Sequence, residues 1–419
     1  YLLNLHANFD VTDNINFFVE GSYAHTSGTK LSDLFQFAAP GILGGPAITV
    51  SVNNPFLTPQ ARSILAANGI TTSFRLNRNF NDIVDRFPAR SEFDVYRIVA
   101  GLKGDFKLGG ENWNWDVSYN YGQSRNRSEF NSINLTRLQN ALNATSTTTC
   151  AVGGACVPIN IFGEGAASDA AVNYVLDRGV GIGKNSMEVF SGNLSGTLPF
   201  GIAGPISVGI GYEHRREAGS FEGDAILNGG LTLLNGAIAY PDAPEGSFNT
   251  DEFYGEAIVP LLNDGMNLPF IKAFQAEGAI RYVDHSVSGG DVTWSGGARM
   301  QTRLDGLTLR GVYTRAIRNP SLVELFLNTT PVARNANDVC AASRVGAGPN
   351  PATRLANCTA ALAAVGGPAP GQFQPTTSGA SPFGEVGGNR ALQNEKARSW
   401  SLGLVYQPPS IRNLRLSDG

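Results

Sequence analysis

The stretch from Trp113 to Gly122, WNWDVSYNYG, alternates bulky apolar residues with polar ones. Because successive side chains of an extended strand point to opposite faces, this stretch has one aromatic face and one polar face. The inner face of a soluble sandwich meets a packed protein core, whereas Trp and Tyr favour the boundary between a membrane and water. The pattern therefore favours a wall strand of a membrane-spanning β-barrel.

The same alternation recurs along most of the chain and divides it into strand pairs. Each pair consists of two amphipathic strands joined by a short turn rich in Gly, Pro, Asn or Asp. The predicted strands cover residues 1–9, 15–23, 93–106, 113–127, 190–198, 206–212, 249–260, 272–284, 292–303, 307–313 and 400–406, with a truncated strand after residue 412. The sequence thus predicts an all-β, antiparallel transmembrane barrel portion of about twelve strands.

The connections between these strands alternate between short and long. In a bacterial outer-membrane barrel the short turns lie on the periplasmic rim and the longer loops on the extracellular rim, so connection length follows strand parity. Only the link at residues 286–290 is short where a long one is expected. Within the first long loop, caps and composition predict a short helix from Pro59 to Ala67. The long extracellular loops are predicted at about residues 25–92, 130–185, 218–248 and 316–393.

Composition is compatible with this interpretation. Charged residues make up 16% of the 419 residues, below the usual quarter, and the net charge of −4 gives no basic patch for nucleic acid. No run of about 18 apolar residues occurs, so no transmembrane helix is expected. A transmembrane strand needs only about 9 to 11 residues. A soluble all-β protein remains the alternative.

Both ends of the chain suggest a piece of a longer protein. The chain begins YLLNLHANFD, without Met or a signal peptide, and stops at LRLSDG just after a turn. We therefore expect residues 1–419 to form one partial barrel domain.

Four cysteines lie in two of the long loops. Cys150 and Cys156 are close together in one, and Cys340 and Cys358 lie in another. Four cysteines allow three connectivities, of which pairing within each loop is the simplest. Such disulfides would stiffen exposed loops in an oxidising compartment, whereas the alternative is four free thiols. The four histidines show no ligand spacing near these cysteines, so no metal site is expected.

The polar strand positions are the candidates for substrate contact. In a barrel they point into the lumen, where the alternative is a hydrated, charge-paired lining without a ligand. The candidate substrate-binding residues are Arg215, Glu256, Glu277, Arg281, Arg299 and Arg310. The candidate lipid-facing aromatic residues are Trp113, Trp115, Tyr119, Tyr121, Trp294 and Trp400. No motif for a nucleophile, a zinc protease or a phosphate loop occurs, so neither catalysis nor a cofactor is expected.

Several segments in order resemble the TonB-dependent outer-membrane receptors. TRAIRNPSLVELF, residues 314–326, is similar to an R-A-P-S-L-x-E-L-F pattern of that family, with Asn319 in place of alanine. GNRALQNEKARSWSLGLVYQP, residues 388–408, looks like its G-N-P-x-L-x-P-E pattern, with Asn394 in place of proline. EFYGEAIVPLL at 252–262 and VPINIFG at 157–163 add to the resemblance.

The resemblance implies a plugged barrel of 22 strands in the outer membrane of a Gram-negative bacterium. It also implies TonB-energised uptake of a scarce bulky nutrient, namely an iron chelate, cobalamin or an oligosaccharide. The implied partners are outer-membrane lipid, the nutrient, and the TonB complex through a plug domain that this chain lacks. A passive porin and a secreted all-β binding module such as a lectin are the alternatives.

The resemblance also gives WNWDVSYNYG a direction. Trp113, next to the short KLGGEN turn, is expected at the periplasmic interface, with Val117 and Tyr119 nearer the middle of the membrane. Arg125 and Arg127 are expected beyond the outer surface, and Asp116 and Asn120 are expected to face the lumen.

Overall fold

The computed structural model describes residues 1–31, 36–37, 48–76, 78–229, 232–233, 242–333, 338–375, 383–411 and 414–418. The strands are β1 Leu2–Thr12, β2 Ile15–Lys30, β3 Gln36–Phe37, β4 Ile48–Ser51, β5 Ser73–Leu76, β6 Arg78–Asn79, β7 Ala89–Leu108, β8 Glu111–Asn134, β9 Leu176–Leu198, β10 Ile206–Gly223, β11 Thr232–Leu233, β12 Ala243–Leu262, β13 Ile271–His285, β14 Gly289–Thr302, β15 Leu307–Arg318, β16 Thr330–Ala333, β17 Phe383–Val386, β18 Glu395–Tyr406 and β19 Leu416–Asp418. The helices are α1 Pro59–Ala67, α2 Asn81–Val84, α3 Leu135–Leu142, α4 Asp169–Val175, α5 Ala225–Gly229, α6 Leu322–Phe326 and α7 Pro351–Ala364, with a 3₁₀ turn at Asp264–Met266.

One large antiparallel sheet forms the body of the molecule. Its strands follow the order β1-β2-β7-β8-β9-β10-β12-β13-β14-β15-β18-β19, so each strand pairs with the next wall strand along the chain. The short strand β11 pairs with the far end of β8. The sheet does not close on itself, and β1 and β19 lie at its two ends. These twelve wall strands confirm the predicted all-β architecture and strand count.

Short turns on one rim of the sheet connect the strands as the sequence predicts. Gly109 and Gly110 join β7 to β8, and both adopt positive φ angles, which glycine tolerates because it has no Cβ. Between β14 and β15, the Leu307 amide donates to the Leu304 carbonyl, so Asp305 and Gly306 are the central residues of a four-residue turn. These tight turns set the register of the hairpins.

Several strands continue well beyond their predicted ends on the opposite rim. β8 has 24 residues and β9 has 23, whereas about 9 to 11 suffice to cross a membrane. The connections are accordingly shorter than predicted. The long connections span residues 31–88, 135–175, 224–242 and 319–394. The alternation of hydrophobic and polar residues does not predict these extensions, because both faces of a strand are polar where both faces contact water.

The main hydrophobic core lies in the first two long connections and not in the sheet. Residues between Ile48 and Val84 pack there against residues between Ile133 and Val175. Helix α1 occupies Pro59–Ala67 as predicted, with the Thr58 hydroxyl accepting from the Ala61 amide at its start. Two connections that are distant in sequence therefore form one folded unit, which we call the loop core.

None of the described helices is long and apolar enough to cross a membrane.

Candidate functional site

Cross-strand register sorts the side chains of the sheet into two faces of opposite character. Asp116 pairs with Asn193 on the neighbouring strand, whereas the adjacent Trp115 pairs with Leu194. Residues directly opposite each other lie on the same face of a sheet. We call the face of Asp116 the polar face and the face of Trp115 the aromatic face.

The structure places the two predicted sets of residues on different faces. The register of strands β8 to β18 puts one set on the polar face and the other on the aromatic face. On the polar face lie Arg215 of β10, Glu256 of β12, Glu277 and Arg281 of β13, Arg299 of β14 and Arg310 of β15. On the aromatic face lie Trp113, Trp115, Tyr119 and Tyr121 of β8, Trp294 of β14 and Trp400 of β18.

Two ion pairs occupy the polar face where β10, β12 and β13 run side by side. Arg215 Nη2 lies 2.6 Å from Glu213 Oε1, two residues earlier on the same strand. Arg281 Nη1 lies 2.7 Å from Glu252 Oε2, and the Glu252 residue is only 9% exposed. The second pair therefore combines a charge-assisted hydrogen bond with near-complete burial of its acid.

A chain of polar contacts extends this arrangement across four strands. The Arg281 guanidinium lies over the Tyr254 ring, 4.4 Å from its centroid. The Tyr254 hydroxyl donates to Asn193 Oδ1, and Asn193 Nδ2 donates to Asp116 Oδ2 at 2.9 Å. The contacts link β13, β12, β9 and β8, so these side chains hold one another in fixed orientations.

A cavity of about 440 Å³ opens on the polar face between β12 and β15. Glu256 and Arg281 line it, so the structure brings together two of the six predicted residues. Glu252 and Tyr254 of β12 also contribute to its lining, together with hydroxyl side chains. The hydroxyl-bearing residues at the cavity wall are Thr293, Ser295 and Thr314. The cavity thus offers both hydrogen-bond donors and hydrogen-bond acceptors around the ion pair of Arg281 and Glu252.

The other four predicted residues lie outside this cavity. Arg215 is on β10, and Glu277, Arg299 and Arg310 lie closer to the rim of short turns. Arg299 sits directly opposite Arg310. Among the described residues neither arginine has an acidic group within 4 Å. Like charges placed directly opposite each other destabilise a sheet, so this pair is left uncompensated by the described part of the chain.

The segment that follows β15, from Asn319 to the end of α6, begins at the edge of the cavity, and we call it the roof segment. Asn319 lines the cavity, and its buried Oδ1 atom accepts no hydrogen bond within the described structure. Helix α6 then begins with a capping box, in which Ser321 Oγ accepts from the Glu324 amide and Glu324 Oε2 accepts from the Ser321 amide. A buried acceptor without a donor is costly, so the cavity favours an occupant that donates a hydrogen bond.

Helix α6 crosses the polar face and rests on strands β10 and β12. The Phe326 ring lies so close to Gly246 that a Cβ atom there would be 2.4 Å from the ring. Leu322 similarly approaches Gly219 of β10. Glycine at these two positions thus leaves room for the helix, and Leu325 between them is buried.

Arg318 ties the start of this roof to the start of β18. Its guanidinium donates to Glu324 and also to both carboxylate oxygens of Glu395. The Asn389 amide donates to the Glu324 carbonyl at 2.7 Å. Hydrogen bonds from Arg318 and from Ser321 lower the pKa of Glu324 to about 2, and Arg318 likewise lowers the pKa of Glu395. The segments 314–326 and 388–408, which carried the family resemblance, are therefore in direct contact.

The aromatic face carries its rings in a band between two polar margins. Trp113, near the short turn, is only 8% exposed because its indole packs across Gly196. The rings of Trp294 and Tyr313 lie 5.3 Å apart, and Trp400, opposite Tyr313, is 73% exposed. At the other margin the Tyr119 hydroxyl donates to Glu188 at 3.2 Å. The Tyr119 hydroxyl thus lies at the outer edge of the band.

A repeated constellation marks the outer edge of this band. Tyr23 and His25 of β2 both hydrogen-bond Asp94 Oδ1 at 2.8 Å. Tyr212 and His214 of β10 contact Asp251 Oδ1 in the same way, at 2.6 and 2.8 Å. In both places the aspartate sits directly opposite the histidine on the next wall strand. The same three residue types thus meet in the same arrangement on two separate strand pairs.

Disulfides join the cysteines within each loop. Cys150 is bonded to Cys156 beside the loop core, and Cys340 is bonded to Cys358 of helix α7. Cys150 and Cys358 are buried. Each disulfide therefore links chain segments of one connection only.

Glu252, Tyr254, Asp291 and Arg315 are not among the residues that the sequence predicts for the site. Arg315 Nη2 lies 2.9 Å from Asp291 Oδ1, and Lys396 Nζ lies 2.9 Å from Asp291 Oδ2. Glu252 and Tyr254 could have been predicted, because they alternate with Glu256 in DEFYGEA and residues two apart on a strand lie on one face. No feature of the sequence near Asp291 predicted its ion pairs with Arg315 of β15 and Lys396 of β18.

The antiparallel wall strands, the two faces of opposite character and the long loops on one rim are the features of an outer-membrane β-barrel wall. The sequence profile described as TonB dependent receptor-like, beta-barrel matches residues 51–417. The chain belongs to this family, whose members are receptors and transporters of the Gram-negative outer membrane. No curated protein matches the chain in a sequence search.

Three solved structures illustrate what a structural comparison found. The siderophore receptor PirA of Acinetobacter baumannii is 13% identical, with a TM-score of 0.50, 97% of this chain covered and 41% of that one. The ferric enterobactin receptor of Pseudomonas aeruginosa is 12% identical, with a TM-score of 0.47 and coverages of 97% and 40%. The RagAB peptide transporter is 10% identical, with a TM-score of 0.46 and coverages of 97% and 38%. The chain thus spans about 40% of the length of these proteins.

Proposed function

We propose that the protein containing this chain is an outer-membrane receptor that takes up a scarce, bulky nutrient with energy delivered by the TonB complex. The observation that carries the proposal is the family match over residues 51–417 on a sheet with one polar and one aromatic face. A sheet of this kind suits a wall between lipid and a hydrated lumen. The proposal assigns no catalytic role to the chain.

In this proposal the aromatic face contacts the lipid of the outer membrane and the polar face lines the lumen. The loop core and the disulfide-bonded connection around α7 stand on the extracellular side and capture the nutrient. The cavity on the polar face between β12 and β15 provides part of the binding surface through Glu256, Arg281 and Asn319. A plug domain from another part of the same protein fills the lumen and contacts the TonB complex.

Charged side chains without an ionic partner on the polar face support the proposal that the lumen holds groups from outside this sheet. Among the described residues, Glu256 and Glu277 have no basic partner within 4 Å, and Arg299 and Arg310 have no acidic one. Uncompensated charges of both signs favour an occupant with complementary groups, whether plug residues or nutrient. The nutrient classes to be compared are an iron chelate, cobalamin and an oligosaccharide.

A deletion strain lacking the whole receptor gene tests the proposal. The strain is grown with a single limiting iron chelate, cobalamin or oligosaccharide, and uptake of the labelled compound is measured in cells with and without TonB. We expect the loss of growth on one compound, and saturable uptake that stops without TonB. Uptake that rises linearly with concentration and continues without TonB would show a passive porin instead.

A further inference from the structure

A tight turn joins β13 to β14 on the rim where the sequence predicts a long loop. It consists of residues 286–288, between His285 at the end of β13 and Gly289 at the start of β14. His285 is only 1% exposed, and the centroid of its ring lies 4.4 Å from that of the Phe248 ring of β12. A histidine is therefore packed into the base of this turn.

The imidazole ring of His285 closes the turn with two hydrogen bonds. Its Nδ1 atom accepts from the Val287 amide at 3.2 Å and from the Ser288 amide at 3.1 Å. An imidazole nitrogen that accepts carries no proton, so the proton of the neutral ring is on Nε2. The closed turn thus depends on the neutral form of His285, because a proton on Nδ1 removes the acceptor for both amides.

The surroundings of the ring offer no partner for a positive charge. In the described part of the chain, no carboxylate lies within 4 Å of a ring nitrogen of His285. The adjacent Asp284 points to the other face of the sheet. Burial lowers the pKa of His285 from its ordinary 6.5, and the charge of Asp284 offsets only part of this effect. The fold therefore favours the neutral ring.

The acids on the elements around His285 already hold arginines. By register, the closest acids on the polar face of the neighbouring strands are Glu217 of β10, Glu252 of β12 and Asp291 of β14. Their partners are Arg215, Arg281 and Arg315, respectively. Glu324 of α6 and Glu395 of β18 share Arg318. By contrast, each of the other three histidines has a carboxylate beside its ring: His6 has Glu20, His25 has Asp94 and His214 has Asp251.

The same turn contacts the far end of the long connection between β15 and β18. Ser288 Oγ donates to Asn394 Oδ1 at 2.6 Å, across 106 positions of the sequence. Asn394 stands where the family pattern has proline, which has no side-chain acceptor for this bond. It directly precedes Glu395, the first residue of β18. The turn thereby holds the last residue of the connection.

We propose that this turn is an acid-sensitive latch, which neutral His285 keeps closed against Asn394 and which opens when His285 takes up a proton. In that step Nδ1 bonds a proton from the solvent, and the Val287 and Ser288 amides lose their acceptor. The Ser288 hydroxyl is then no longer held beside Asn394. Because Arg318 still holds Glu395, the opening is confined to the turn and to the residues before β18.

The pH range of the latch follows from its two states. In the open turn the pKa of His285 returns to its ordinary 6.5, whereas in the closed turn it is lower. Such a group stabilises the closed turn above the ordinary value, and this stabilisation is lost as the pH falls toward the lowered value. Uptake of one proton on opening gives about a tenfold loss of protection against hydrogen exchange per pH unit in that range.

Hydrogen exchange of the intact receptor, purified in detergent, tests the proposal between about pH 7.5 and about pH 5, with the intrinsic pH dependence of amide exchange divided out. We expect the protection factors at Val287 and Ser288 to be constant above the ordinary pKa and to fall below it. Leu392, whose amide donates to the Asn389 carbonyl at 3.3 Å, is expected to lose protection in the same range. Leu325 of α6 is expected to keep its protection there.

Two variants of His285 separate its charge from its packing. In His285→Asn the side-chain oxygen replaces Nδ1 as an acceptor that does not titrate, so protection is expected to remain and its pH dependence to disappear. In His285→Phe the ring remains without an acceptor, so protection at Val287 and Ser288 is expected to be low at every pH. His214→Asn is the matched control, and we expect the pH dependence of the turn to be unchanged in it.

The contact with Asn394 is tested by Ser288→Ala. This variant keeps the backbone amide that His285 accepts from, so the turn is expected to retain its pH dependence while Leu392 loses protection at every pH. Constant protection of the turn across the range, or the same fall in His285→Asn, overturns the latch. Unchanged protection of Leu392 in Ser288→Ala overturns its hold on the connection. All measurements are made without nutrient, so their outcome is independent of the proposed uptake.

Discussion

Arg318 holds Glu324 through two charge-assisted hydrogen bonds, from Nη1 to Oε2 at 3.0 Å and from Nη2 to Oε1 at 2.9 Å. The same guanidinium reaches Glu395, from Nε to Oε2 at 3.0 Å and from Nη2 to Oε1 at 2.8 Å. One side chain thus connects the end of β15, the first turn of α6 and the start of β18. The connection between β15 and β18 is thereby fastened at both of its ends.

Replacing this arginine is expected to loosen the roof while the wall stays folded. In Arg318→Gln the guanidinium N–H donors are lost, so the backbone amides of α6 are expected to exchange faster with solvent. Hydrogen exchange of the intact receptor, followed at Leu325 and Asn389, measures the effect. Arg398→Gln is the control, since Arg398 lies opposite Arg315 on the aromatic face and is outside the contact. Unchanged exchange in Arg318→Gln would show that the contact does not hold α6.

The same contact is expected to respond to acid. The pKa of Glu324 falls from an ordinary 4.5 to about 2. A carboxyl whose pKa is lowered by folding stabilises the folded state above its unfolded value, and this stabilisation is lost as the pH falls toward the folded value. The protection factor at Leu325, in which the intrinsic pH dependence of amide exchange is divided out, should therefore fall between pH about 4.5 and about 2. In Glu324→Gln this pH dependence is expected to disappear, and its persistence would assign it to another group.

The loop core is expected to depend on its buried side chains as a small domain does. Leu138 of α3 is 2% exposed within this core, so Leu138→Ala should cost about 2 to 5 kcal/mol of local stability. Ile64→Ala on helix α1, where Ile64 is 56% exposed, should change it by less than about 0.5 kcal/mol. Hydrogen exchange of α3 in the intact receptor compares the two. Equal effects would show that the two connections do not share a core.

Each of the two disulfides is expected to protect only its own connection against proteolysis. The loop closed by Cys340 and Cys358 spans a separation of 18 residues, and closure of such a loop stabilises by about 3 kcal/mol in the chain-entropy account. In the double variant Cys340→Ala, Cys358→Ala, trypsin should cleave faster after Arg354 of α7, while cleavage after Arg62 of α1 stays constant. Faster cleavage at both sites would mean that the disulfide stabilises the receptor as a whole.

The wall could be predicted from the sequence because its signals are local. The alternation in WNWDVSYNYG fixes which residues share a face, and Gly109 with Gly110 or Asp305 with Gly306 fix where the chain turns. Helix α1 was predictable for the same reason, since Thr58, Pro59 and the Asn68–Gly69 end lie next to it. Periodicity and turn chemistry act over a few residues, so they can be recognised in one sequence.

The roof and the loop core could not be predicted because they depend on distant contacts. Helix α6 has only five residues, and its place is set by Gly219, Gly246 and Glu395, which lie far away in sequence. Of the six predicted polar residues the structure brings only Glu256 and Arg281 into the cavity, because alternation gives the face of a residue and not its height along the strand.

The central claim is that the aromatic face contacts lipid and the polar face lines the lumen. Val117 lies in the middle of the band on β8, and Ser118 is its neighbour on the polar face, with its hydroxyl 3.0 Å from that of Ser191. The most direct measurement is the unfolding free energy of the intact receptor in a bilayer for Val117→Arg and Ser118→Arg. We predict a loss of about 2 to 4 kcal/mol for Val117→Arg and a much smaller loss for Ser118→Arg. Equal losses, or the reverse order, would contradict the assignment of the two faces.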